Sequence, residues 1–174
     1  SRADFSGEAF LVNATPASRV HLGIIFIDFS ANTQGMLIFP PKENSFSHLT
    51  WRDRTGKQLA TLGKPGEYYT PKISRDDKRV AFSRRVNENS EIWLADTYGN
   101  QFTRLTFGPG IDEHPIWSPD DAAVIFSNDS TGRANLYLKA ATGAGTPKHL
   151  TASAVEKQAT DWSSDGRFVL FTQI

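Results

Sequence analysis

The sequence predicts an all-β fold in which one four-stranded antiparallel unit repeats around an axis, and three observations carry that prediction. One short pattern recurs four times, as FSANTQGMLIF at 29–39, ISRDDKRVAFS at 73–83, WSPDDAAVIFS at 117–127 and WSSDGRFVLFT at 162–172. Its starts lie 44, 44 and 45 residues apart, a period at which strand-like units stack because none can bury its apolar faces alone. Within each period, short β-branched or aromatic runs alternate with turn-forming residues. Strands of about five residues suit the blades of a partial or small β-propeller far better than a large open sheet.

Residues 1–28 form an N-terminal extension in which Ala9 to Asn13 reads as a strand able to close the ring against the last blade. Gly23 to Phe29 then reads as the innermost strand of blade one. Residues 29–174 hold the repeats: three complete units and the first two strands of a fourth.

The unit between the second and third copies divides into strands at Thr70 to Ser74, Arg79 to Ser83, Glu91 to Asp96 and Phe102 to Thr106. Leu49, Ile92 and Leu136 fall at equivalent third-strand places, followed by Thr50, Trp93 and Tyr137. Thr61-Leu62, Arg104-Leu105-Thr106 and His149-Leu150-Thr151 close the fourth strands, each before a loop of Gly or small residues. Between the first and second strands, Asp76, Asp120 and Asp165 mark tight turns, because an Asp side chain accepts backbone N–H groups while a neighbouring Pro or Gly takes up special torsions. Thr151 to Ala159 is the one stretch with helix-forming character, too short to hold a helix and read as a polar loop or single turn.

Most propellers close with at least four blades, more than this chain supplies in full. A start at Ser1 and an end just past a strand at Gln173-Ile174 favour a piece of a larger ring. Open sheet edges would then be available for self-association.

Composition excludes several functions. Lys plus Arg and Asp plus Glu both total 19, so no general attraction draws the chain to nucleic acid. The Arg52, Arg54, Lys57 cluster and the Arg84-Arg85 pair read as solvated turns. The most apolar run, Gly23 to Phe29, is far too short to cross a membrane as a helix, and no direct membrane insertion is expected. Without Cys there are no disulfides and no thiolate chemistry, which fits a reducing cytoplasm or a periplasmic protein whose stacked blades need no staples.

No catalytic residue and no cofactor is expected. There is no GxSxG elbow, no phosphate-cradling GxxxxGK loop and no kinase catalytic segment. His21, His48, His114 and His149 lack metal-ligand spacing, so no metal is assigned. Trp93, Trp117, Tyr137 and Trp162 read as structural aromatics filling the wedge between neighbouring sheets. The candidate recognition surface lies just before the inner strands, where the repeats diverge: Glu67, Tyr68 and Tyr69, then Asp112, Glu113 and His114, then Glu156 and Lys157. As loops around one mouth of a ring they would form a shared contact surface on a regular scaffold.

Through WSPDD, EIWLAD and TRLTFGPG, the chain resembles the WD-like repeats of the TolB propeller. Through WRDRTGKQLATLG and PGEYYTPKISRDDKRVAFSRR at 51–85, it is similar to propeller segments appended to acidobacterial serine/threonine protein kinases. The resemblance implies a non-enzymatic scaffold for proteins or small ligands, beside an adjoining domain of a larger bacterial protein; of the two compartments the extracytoplasmic one is favoured and the cytoplasmic one stays open. The alternative it leaves open is a propeller gating substrate access to a hydrolase or peptidase domain. Asp77 and Asp121 depart from the Gly usual after the turn Asp, and Asn32-Thr33 departs more fully.

Overall fold

The computed structural model describes residues 30–31, 37–39, 47–152 and 154–174. The strands expected at Ala9 to Asn13 and Gly23 to Phe29 lie outside the described residues. Among these there are thirteen strands and no helix, arranged as an unclosed, partial β-propeller of four successive blades. Blade one comprises β1 (Ser30–Ala31), β2 (Leu37–Phe39), β3 (Ser47–Arg52) and the first part of β4 (Gln58–Ile73). Blade two comprises the rest of β4, β5 (Arg79–Val86), β6 (Asn89–Asp96) and β7 (Phe102–Arg104). Blade three is β8 (Asp112–Trp117), β9 (Ala123–Asn128), β10 (Asn135–Ala140) and β11 (Lys148–His149), and blade four contributes β12 (Lys157–Trp162) and β13 (Val169–Gln173). Neighbours within each blade pair antiparallel.

One junction departs from expectation. Instead of a strand ending at Leu62, a loop and a new strand at Thr70, β4 runs 16 residues without interruption. Its first part pairs with β3 up to Ser47 opposite Gly66, and its second pairs with β5 from Glu67 opposite Arg85. Gly63 makes the passage possible: its φ of 75° is a left-handed torsion, and the Phe102 ring occupies the space where a Cβ would project. The other junctions do have connecting loops. Residues 151–152 and 154–156 lie outside the strands, and the segment read as loop through Ala159 becomes β12 at Lys157.

Strand alternation turns one face of each blade to the preceding blade and the other to the following one. Three apolar clusters result, one at each seam. Leu49, Trp51 and Leu62 of blade one meet Tyr68, Val80, Phe82 and Ala95 of blade two, with Trp93 and Phe102 packed alongside. The opposite face of blade two, through Ala81, Ile92, Leu94 and Leu105, meets Trp117, Val124 and Phe126. Ile116, Ile125 and Leu136 then meet Ala159, Trp162 and Val169. Leu49, Ile92 and Leu136 are all fully or almost fully buried, in keeping with their equivalent places in the repeat.

The Trp117 indole N–H donates to the Lys72 carbonyl across the seam at 2.9 Å, while Trp162 donates within its own blade to Gly166. Tyr137 stacks between Phe126 and His149.

Turns between first and second strands repeat in atomic detail. Asp76, Asp120 and Asp165 each accept a hydroxyl from the Ser two residues before and a backbone N–H from two residues after. These bonds, the Ser hydroxyl's first, hold all three carboxyls below the usual range. The next residue, Asp77, Asp121 or Gly166, is left-handed in every copy. Asp occupies the glycine torsion twice without changing the turn.

Candidate recognition surface

The inner strands of blades two, three and four all run from one end of the stack toward the Asp turns at the other. The three divergent segments are gathered at the starting end, though not as loops. Glu67, Tyr68 and Tyr69 are within β4, Asp112, Glu113 and His114 open β8, and Lys157 opens β12 directly after Glu156. Because they belong to strands, alternation splits them. Tyr68, Asp112 and Lys157 occupy one repeat position and are only 2, 5 and 6 % exposed, each directed into the seam with the preceding blade. Glu67, Tyr69, Glu113, His114 and Glu156 retain access to solvent.

The buried position has a different chemistry in each blade. Tyr68 is aromatic core: its ring meets Phe82 and Phe102 edge-on at 5.5 and 5.7 Å, and its hydroxyl donates to the Lys64 carbonyl at 2.6 Å. Asp112 lies in a polar pocket, accepting Asn128 Nδ2 at 2.6 Å, while Ser90 donates to its backbone carbonyl. Burial is the main force on its carboxyl and pushes the pKa up to about 6; bonds from Thr106 and Asn128 pull the other way, and Glu91 and Asp129 add repulsion. The buried Lys157 ammonium has no hydrogen-bond partner among the described residues and lies near the Phe171 ring.

Around this row the accessible side chains are tied across seams by cations, one of them Arg85, which the sequence placed in a solvated turn and the structure places in β5. Arg85 of blade two pairs with Glu113 of blade three at 3.7 Å and lies over the Tyr69 ring. Arg133 of blade three pairs with Glu156 of blade four at 3.9 Å. Arg84, read from sequence as part of a solvated turn, is instead in β5, where its guanidinium covers Tyr68 and Trp93. Its pairing opposite Tyr68 is the cause, and only that register would have revealed it.

The inner strands also carry a shared irregularity. Thr70 and His114, both before Pro, have φ of 47° and 56° inside bulges of β4 and β8. The Thr70 hydroxyl meets that of Ser83 at 3.0 Å. Among the described residues no group of three or more His, Cys, Asp or Glu is placed to hold a metal ion, and no helix is long and apolar enough to cross a membrane.

A bladed scaffold of repeated four-stranded units defines a β-propeller domain. The TolB beta propeller domain profile matches residues 31–174, and the chain belongs to that family. It is 30% identical to the Tol-Pal system protein TolB of Helicobacter pylori over 67 residues, 38% of this chain and 16% of that protein. The solved structure of TolB from Acinetobacter baumannii superposes with a TM-score of 0.71 at 25% identity, covering 83% of this chain and 37% of that one. The tricorn protease shares the fold at 18% identity and a TM-score of 0.63, over 86% of this chain and 15% of its own. The chain thus spans well under half the length of these proteins.

Proposed function

We propose that the chain is a non-enzymatic recognition scaffold within a larger bacterial protein, engaging a protein partner through the rim formed by Glu67, Tyr69, Arg85, Glu113, Arg133 and Glu156. The observation that carries this reading is the pair of seam-crossing ion pairs, Arg85 with Glu113 and Arg133 with Glu156. They hold unlike side chains on a repeated backbone, so the rim is ordered without being uniform. An aromatic ring under an Arg, as at Tyr69, is a common anchor of protein interfaces. The Helicobacter pylori relative belongs to the Tol-Pal system, which supports an extracytoplasmic site and an envelope protein as partner. An adjoining domain in the parent chain is part of the same proposal, since the chain spans only a fraction of the length of its relatives.

A photo-crosslinking amino acid placed at Tyr69 or Glu113 in bacterial envelope extracts should yield a discrete protein adduct that Arg85→Ala weakens. The same label at Asp165, on the opposite end, should yield none. Adducts of equal strength from both ends would contradict the assignment.

A further inference from the structure

Blade one has an outer edge unlike those of its neighbours. The outermost strands of blades two and three, β7 and β11, are three and two residues long. The part of β4 paired with β3 runs from Gln58 to Gly66, and among the described residues no strand pairs with its other side. Gln58, Leu59, Ala60 and Thr61 are exposed. A run of unpaired N–H and C=O groups is a template for one more strand.

This edge is one wall of a groove. The facing wall is the turn after β6, Thr97 to Asn100, and Trp51 and Leu62 line the base of a cavity of about 300 Å³. At the next residue along β4 the Phe102 ring lies against Gly63. At its mouth Leu59 is 50% and Tyr98 84% exposed, so a large apolar surface stands open beside unpaired backbone.

Cations predominate along the edge. Arg54, Lys57 and Lys64 are exposed, and none joins an ion pair among the described residues. The hairpin's one carboxylate, Asp53, accepts the Thr55 N–H and hydroxyl and the Lys57 N–H. Asp96, at the end of β6, is the acidic group nearest the far wall.

We propose that this groove takes an extended acidic peptide segment that adds as a further strand to the outer edge of blade one. One apolar side chain would enter beside Leu59 and Tyr98, and carboxylates would meet Arg54, Lys57 and Lys64. Main-chain pairing supplies affinity, while the cavity and the cations select sequence. The site lies apart from the rim and does not depend on its assignment.

The test is fluorescence anisotropy with the full chain and labelled DVELTVE peptide. Saturable binding that weakens with salt is expected. Lysine-substituted KVKLTVK, and DVELTVE N-methylated at alternate backbone positions, should bind at least about tenfold more weakly. Leu59→Glu and the double variant Lys57→Glu/Lys64→Glu should show similar losses, and Tyr69→Ala none. Equal binding of the lysine or methylated peptide, loss on Tyr69→Ala alone, or no binding at about 1 mM would overturn the proposal. So would dimerisation abolished by Leu59→Glu, which would assign the groove to a second copy.

Discussion

Asp121 holds Arg75 across the seam between blades two and three. Its carboxylate accepts the Arg75 N–H at 2.8 Å and the adjacent Asp76 N–H at 2.9 Å, capping the neighbouring blade's turn. In return Arg79 donates to the Asp121 carbonyl at 2.6 Å and lies over the Trp117 ring. This explains why an acid occupies a left-handed position where glycine is conformationally easier. In blade four the equivalent residue is Gly166, and its neighbour is Pro119, the counterpart of Arg75. Proline has no N–H to cap.

Asp121→Gly should therefore lower stability by about 2 kcal/mol, the loss of two half-buried charge-assisted bonds outweighing the relief of backbone strain. Asp121→Ala should lose more, about 3 kcal/mol, because it keeps the strain and loses the bonds. Urea denaturation of the three proteins gives the order directly. A Gly variant as stable as the parent would refute the clamp.

The raised pKa of Asp112 gives stability a definite pH dependence. From the ordinary 3.8 to about 6, the folded state keeps a proton that the unfolded chain has released. Stability from this group therefore falls as pH rises through that window, by at most about 3 kcal/mol. Asp112→Asn, which retains an acceptor for Asn128, should be more stable than the parent at pH 7 and show a flatter profile between pH 4 and 6.5. Parallel urea midpoints across that range would contradict it. The depressed carboxyls of Asp76, Asp120 and Asp165 act at lower pH, contributing above the usual carboxylate range and losing their contribution as pH falls below it.

Lys157 should be replaceable at a gain. Lys157→Met keeps the aliphatic stem against Phe171 and removes a buried ammonium with no acceptor, so thermal and urea unfolding should show a rise of about 1 kcal/mol. A loss of stability would mean that the ammonium is satisfied.

Blade four leaves Phe168, Leu170, Phe171 and Ile174 exposed on and beside β13, whose outer edge has no partner among the described residues. Light scattering over a dilution series should show concentration-dependent association, reduced by Leu170→Lys. A constant monomer mass would argue against edge pairing.

Most of the scaffold was legible because a fixed period reports the same physical constraint several times. Leu49, Ile92 and Leu136 could be placed in one register, and Asp76, Asp120 and Asp165 in one turn, without any knowledge of contacts. The rim was legible by location and not by composition. Whether Tyr68 or Tyr69 faces solvent depends on a parity fixed by the bulge before Lys72; a single residue of slip exchanges the two faces. The Arg75 cap was hidden because its acceptor is 46 residues away, and the passage through Gly63 because glycine ordinarily marks a break.

The uninterrupted β4 makes the first joint mechanically different from the rest. Blades two and three are joined in the chain by a loop, whereas blades one and two share a single hydrogen-bonded strand, so that twisting one must wring the other. Pulled from its two ends, the chain should yield at its looped joints and release blades one and two in a single step.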